Sequence, residues 1–205
     1  MFLPRFKLLT SEHATWNIFD VARMALRAVP SGGTVLEIGC EDGKWLGMAS
    51  AADPSVTWTG IDWKPGKVKR GANVTVTQGD VRTADYAPAS FDAVLALSAL
   101  EHIGLGHYNS DPVDVDGDSL TVANVRRWLN PGGWFYLDVP YTPDGYQVLR
   151  GTKCRCYDDA ALAERLGPHT VLGYADLFGR WVEKPTRNAR DANRPYWYVA
   201  LRIDV

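Results

Sequence analysis

Most of what would narrow the function of this chain quickly is missing from it. Only three cysteines occur in 205 residues, Cys40, Cys154 and Cys156. A disulfide framework is therefore excluded, and a reducing, cytoplasmic setting is expected. Cys154-x-Cys156 has no second pair to complete a zinc site, and the two thiols are read as incidental. Neither sign of charge dominates, with 22 basic against 24 acidic residues, so bulk electrostatics gives no case for nucleic acid. No apolar run is long enough to span a bilayer, and none in the first nine residues resembles a signal peptide. Repeats and low-complexity tracts are lacking too, and the length suits one domain with one well-buried core.

What is present concentrates in Thr34-Val-Leu-Glu-Ile-Gly-Cys-Glu-Asp-Gly43. Val35, Leu36 and Ile38 read as a buried strand, Gly39 and Gly43 bracket a tight turn, and Lys44–Ala52 has the composition of a helix. A strand that ends in a glycine turn and opens a helix is where an open α/β sheet receives a nucleotide-like ligand. The spacing Gly-x-x-x-Gly departs from the dinucleotide fingerprint, which argues against an NAD-linked oxidoreductase. Glu37, just before the first glycine, would repel a pyrophosphate and suits a cationic ligand.

Four more segments follow in order: Trp58-Thr-Gly-Ile-Asp62, Val74-Thr-Val-Thr-Gln-Gly-Asp80, Phe91-Asp-Ala-Val-Leu-Ala-Leu-Ser98 and Leu129-Asn-Pro-Gly-Gly-Trp-Phe-Tyr-Leu137. With Glu-Ile-Gly-x-x-x-Gly they resemble the class I S-adenosylmethionine (SAM)-dependent methyltransferases over roughly residues 30 to 140. The resemblance implies a Rossmann-like α/β domain with one doubly wound, mostly parallel sheet and an antiparallel C-terminal strand. It also implies SAM as cofactor, its amino acid end against Glu37, Gly39, Cys40 and Gly43, its ribose on Asp62 beside Trp63, and its adenine near Asp80 and Val81, with Ser98 at the end of the fourth strand.

One domain over 1–205 is expected. It comprises an N-terminal helix over 11–29, a cofactor half over 30–100, an acceptor-side loop over 101–118 and a C-terminal half over 119–205. The expected later elements are a helix Leu120 to Leu129, a strand Trp134 to Val139, a helix Asp158 to Leu166, a strand Thr170 to Asp176, a polar loop over 178–195 and a final strand Tyr196 to Ile203. The run from Asp62 to Val74, with Lys64, Lys67, Lys69 and Arg70, reads as a basic loop. Trp128 and Trp134 read as packing residues, and Trp63 as core or as a cover for the adenine.

In this architecture acceptors meet the cofactor beyond the fourth strand, which places Ser98 to Asp118 at the chemistry. Glu101, His102, His107, Tyr108 and Asp111 make that stretch dense in bases and ligand-type groups. His102 is the expected general base, with Glu101 and His107 beside it. Glu101-His102 is similar to the metal-binding Glu-x-x-Glu-His step of ubiquinone O-methyltransferases and small-RNA 2′-O-methyltransferases. Ser98 stands where the first glutamate would be. A Mg²⁺ or Mn²⁺ ion on Glu101, His102 and Asp111 is thus one alternative, and an imidazole acting alone is the other. Asp116 and Asp118 read as caps of the following helix, and an EF-hand is excluded because Val125 stands at position twelve. The run His102-Ile-Gly-Leu-Gly-His-Tyr108 resembles a poorly characterised bacterial, glycan-associated methyltransferase-like family. The expected activity is O-methylation of a small-molecule or glycan acceptor. RNA 2′-O-methylation and a non-catalytic SAM-binding subunit are the alternatives.

Overall fold

The computed structural model describes residues 29–66, 73–108, 111–176, 180–189 and 196–205. All but the last residue of the helix expected over 11–29 lies outside them, as do Lys67, Lys69 and Arg70 of the basic loop. Among the described residues no helix is long and apolar enough to cross a membrane.

Five strands run parallel: β1 (Thr34–Ile38), β2 (Thr57–Asp62), β3 (Val74–Gln78), β4 (Phe91–Leu97) and β5 (Leu129–Tyr141). With β8 (Thr170–Ala175), β9 (Trp181–Val182) and β10 (Trp197–Asp204) they form one sheet in the order β3-β2-β1-β4-β5-β10-β8-β9. The order reverses between β1 and β4, so the carboxyl ends of those two strands diverge and open a crevice. β10 pairs antiparallel with both β5 and β8, which is the reversed C-terminal strand that the sequence suggests. A separate hairpin of β6 (Gln147–Leu149) and β7 (Cys154–Cys156) lies after β5.

Helices cover both faces, which is why the central strands read as near-continuous apolar runs. On one face α1 (Lys44–Ala52) packs Leu46 and Ala49 with Val35, Leu95 and Trp58. On the other, Val125 and Trp128 of α2 (Gly117–Trp128) and Leu162 and Leu166 of α3 (Asp159–Leu166) cover Leu36, Val94 and Phe135. Trp128 and Trp134 are both buried in these layers, as packing residues should be.

Several boundaries differ from the sequence expectation, each for a physical reason. β5 begins at Leu129, five residues early. One residue of β4, Asp92, faces four of β5 across an irregularity, so Pro131, Gly132 and Gly133 stay within the strand. The last of these glycines meets the chain end, where Val205 donates to the Gly133 carbonyl at 3.1 Å. The polar stretch over 178–195 contains β9, which extends the sheet by pairing with Tyr174 and Ala175. α2 starts at Gly117, and Asp116 stands at its N-cap without a side-chain bond to the helix amides. Asp118 does not cap at all. It is fully buried and accepts from Arg165 at 2.7 and 2.8 Å and from Tyr157 at 2.8 Å, with Arg155 Nε at 3.5 Å. α3 does have its cap, Asp158 accepting from Ala161 N at 2.7 Å.

Candidate active site

A cleft of about 410 Å³ opens over the carboxyl ends of β1, β2, β3 and β4. Its cofactor-side wall is built from turns. Gly39 leaves β1 with φ +73°, and a Cβ there would collide with that of Ala99. The glycine is required by the crossing of two strand-end turns, not by the ligand alone. Asp62, at the end of β2, accepts the N–H of Glu41 at 2.9 Å and of Lys64 at 2.7 Å, which aims its carboxylate at the turn after β1. Each of its oxygens keeps a further lone pair for a hydroxyl.

Glu37 sits under this turn, 5% exposed, and its Oε2 has no hydrogen-bond partner among the described residues. Burial first, then the nearby carboxylates of Asp62 and Asp42, push its pKa up to about 8. A buried, unpartnered acid among like charges is costly by itself and is relieved by a cation. That is the fit expected for the ammonium end of SAM.

The other expected cofactor contacts divide. Gly39, Asp62, Trp63, Val81 and Ser98 line the cleft. Cys40 does not: its thiol packs against Gly60 in the core, where burial and then Glu37 raise its pKa to about 12, so only its backbone faces the turn. Gly43 begins α1 away from the cleft lining. Asp80 lines the cleft but grips Arg82, Nε at 2.9 Å and Nη2 at 2.6 Å. Burial works the other way, yet these bonds hold its carboxyl below the usual range.

The acceptor side is assembled from two distant segments. After β4 the chain makes a 3₁₀ turn, Leu100–His102, and then a loop closed by Asp114 N donating to Gly104 O at 2.8 Å. Gly104 has φ +79°, and a Cβ there would overlap the Asp114 carbonyl. Arg155, on β7 and fully buried, holds both ends of this loop. It donates to Ile103 O at 2.7 Å and Val115 O at 3.0 Å, with longer contacts to Glu101 O and Asp114 O.

His102 stands on the cleft wall with its ring fixed. Nδ1 lies 2.7 Å from the Lys153 carbonyl. A carbonyl only accepts, so Nδ1 carries the proton and Nε2 keeps a lone pair. Burial pushes the His102 pKa down, the Lys153 carbonyl opposes this, and His107 and Arg155 add to the lowering; the ring is neutral at pH 7. His107 lies against it with ring centroids 4.3 Å apart. Glu101 is 2% exposed, 3.8 Å from Nε2 through Oε1, with Oε2 unpartnered among the described residues. Burial, reinforced by Asp138, raises its pKa well above the ordinary range. Asp111 also lines the cleft, but its two oxygens accept the amides of His107 and Tyr108 at 3.0 and 2.9 Å. It serves the loop, and the ligand-type cluster that forms here is Glu101, His102 and Cys154.

Two positions escaped the sequence reading. Asp138, fully buried on β5, fixes Ser98 through its N–H at 3.0 Å and its Oγ at 2.9 Å. A lone acid in an apolar strand was the available signal. Arg155 had one as well, a charge enclosed between two buried cysteines.

Residues 18–182 match a protein family described as a methyltransferase domain. Among solved structures, the 1,6-didemethyltoxoflavin-N1-methyltransferase of Burkholderia thailandensis, bound to its acceptor and S-adenosylhomocysteine, superposes with a TM-score of 0.66 at 16% identity, covering 98% of this chain and 87% of that one. The N-methyltransferase NodS of Bradyrhizobium japonicum, bound to S-adenosylhomocysteine, gives 0.61 at 15% identity, covering 97% and 90%. A tRNA (carboxymethyluridine(34)-5-O)-methyltransferase of Arabidopsis thaliana is 25% identical over 118 residues, 56% of this chain but only 26% of that protein's length. With the family match spanning most of its length and the sheet order, turns and cleft in place, the chain belongs to the methyltransferase-domain family and shares the fold of these S-adenosylhomocysteine-bound enzymes.

Proposed function

We propose that the chain methylates an oxygen of a small, neutral, hydroxyl-bearing acceptor, of which a sugar unit is one example, and that His102 Nε2 takes the acceptor proton. The observation that carries this reading is the fixed imidazole: neutral, its Nδ1–H spent on Lys153, and its lone pair at the carboxyl end of β4.

SAM, when bound, supplies a methyl group on a sulfonium leaving group that is already activated. The chain has then to align the acceptor, exclude water and accept a proton. Glu37 and Asp62 are the residues to hold the cofactor's ammonium and ribose. Val81 lines the cleft where the adenine would lie, whereas each Asp80 oxygen already accepts two hydrogen bonds from the Arg82 backbone and side chain. Burial favours the uncharged form of Glu101, which weakens its pull towards an imidazolium and helps keep His102 unprotonated before the reaction. His107 acts in the same direction.

The acceptor class follows from charge. Among the described residues, Glu41, Asp62, Asp80 and Asp111 line the cleft, while Arg82 is taken up by Asp80. Such a wall disfavours a polyanion and favours neutral hydroxyl groups. The Arabidopsis tRNA enzyme supports transfer to oxygen and keeps a nucleoside acceptor as the second reading.

The test is methyl transfer from labelled SAM to a panel of sugars, nucleosides and amines, before and after His102→Gln. The expected result is turnover on hydroxyl acceptors and a kcat lowered roughly a hundredfold or more in the variant, with SAM affinity unchanged. Turnover confined to amines, or a variant that works at the native rate on its true acceptor, would sink the proposal.

A further inference from the structure

Cys154 was set aside in the sequence as an incidental thiol, yet the β6–β7 hairpin brings it to the acceptor site. A Glu101 carboxylate oxygen, a His102 ring nitrogen and Cys154 Sγ all lie within 4.8 Å of one another. We propose that this trio binds a thiophilic divalent cation of the Zn²⁺ type, and that the bound ion switches the enzyme off by occupying the His102 Nε2 lone pair.

Four observations converge on the site. Thiolate, imidazole and carboxylate together select Zn²⁺ or Co²⁺ over Mg²⁺ and Mn²⁺, which prefer all-oxygen donors. The ring is already oriented as a ligand, since Nδ1 donates to a backbone carbonyl and Nε2 is left free, the outer-shell bond that fixes metal-binding histidines. That carbonyl belongs to Lys153, the residue before Cys154, so one stretch of backbone places both the ring and the thiol. Finally, Glu101 Oε2 is buried with no partner among the described residues, an atom for which the fold provides nothing and a cation provides a bond.

Charge balances in the loaded state. The Cys154 thiol releases its proton to solvent on binding, and the resulting thiolate together with the Glu101 carboxylate neutralises the dication beside a neutral imidazole. Three protein ligands leave a fourth position for water. The inhibitory half rests on His102 being the base, whereas the binding half stands without it.

Co²⁺ is the probe, added to the full-length, metal-stripped protein. The expected spectrum shows a thiolate-to-cobalt charge-transfer band with visible bands of tetrahedral intensity, all removed by stoichiometric Zn²⁺. In methylation assays saturating Zn²⁺ should lower the rate roughly a hundredfold, the scale of losing a general base, and a chelator should restore it. Cys154→Ser should lose the charge-transfer band and need roughly tenfold or more Zn²⁺ for the same fractional inhibition of its own metal-free rate. Absence of a thiolate band in the native protein overturns the site, and so does its persistence in Cys154→Ser. Stoichiometric Zn²⁺ that leaves the rate unchanged, or raises it, overturns the switch. If His102→Gln retains activity while the native cobalt spectrum stands, the base assignment has failed and the metal site has not.

Discussion

The two ends of the cleft are made in different ways. The cofactor end is a set of short turns, each following its own strand, joined by backbone amides donating to the Asp62 carboxylate. Its parts lie close in sequence, and the parallel register of β1, β2 and β3 brings them together. The acceptor end hangs on one guanidinium from β7, more than fifty residues after the turn that it holds. Arg155 there ties four carbonyls and shares the buried Asp118 with Tyr157 and the partly exposed Arg165. Local construction tolerates change one contact at a time. A buried network fails as a unit, because each member left behind becomes an uncompensated polar group.

The largest test of this contrast is Arg155→Met. Removing one partner of a buried ionic network is expected to cost about 3–5 kcal/mol, read as a lowered urea midpoint. Acceptor turnover should disappear first, while SAM binding survives in whatever fraction stays folded. Equal loss of cofactor and acceptor binding would show that the two ends are one cooperative unit.

A smaller effect is expected at the other end from Glu37→Gln. Cofactor affinity should fall by about 1.5–3 kcal/mol, the range for a hydrogen bond to a charged group, as measured by calorimetry. The pH dependence carries a sign. The Glu37 pKa is raised in the folded protein, so the cofactor-free fold binds a proton that the unfolded chain has lost. Stability of the cofactor-free protein therefore declines as pH climbs from the ordinary glutamate range towards about 8. A cationic ligand needs the ionised form, so SAM should bind more tightly, and raise the melting temperature more, as pH rises through the upper part of the same window. Glu37→Gln should flatten both trends. A native protein whose SAM affinity ignores pH in this range would remove Glu37 from the cofactor site.

Smallest is Asp111→Ala. Losing its acceptors for the His107 and Tyr108 amides should cost about 1 kcal/mol or less of stability and raise KM for the acceptor a few-fold, with kcat nearly constant. Loss of a catalytically required metal instead would show as a collapse in kcat that added Mg²⁺ or Mn²⁺ partly repairs.

The same contrast explains how much the sequence revealed. Thr34–Gly43, Trp58–Asp62 and Phe91–Ser98 declared themselves because a strand, its glycine turn and its terminal acid are contiguous. Asp118 was legible as a residue but not in its role. A carboxylate just before a helix has a local explanation as a cap, and its real partners, Arg155 and Arg165, lie far along the chain. Cys154 was discounted for the same reason. Its position near His102 depends on the register of a two-stranded hairpin, Gln147↔Cys156 and Leu149↔Cys154, about which spacing alone is silent. Asp111 has a local role that spacing did not suggest: a ligand-type side chain accepts two amides three and four residues away.

The place of β10 has a consequence for how the protein is made. It follows every other strand among the described residues, yet it lies between β5 and β8 in the interior of the sheet. Synthesis therefore delivers β8 and β9 before the strand that connects them to β5. Until Trp197–Asp204 emerges, the long, apolar β5 keeps an open edge. An edge of that kind recruits other strands, so the growing chain is most prone to self-association until that strand has paired. A chaperone that masks one extended segment would be most useful until then. The carboxyl end of β10 then comes to rest beside Gly132 and Gly133, at the opposite end of β5 from the cleft.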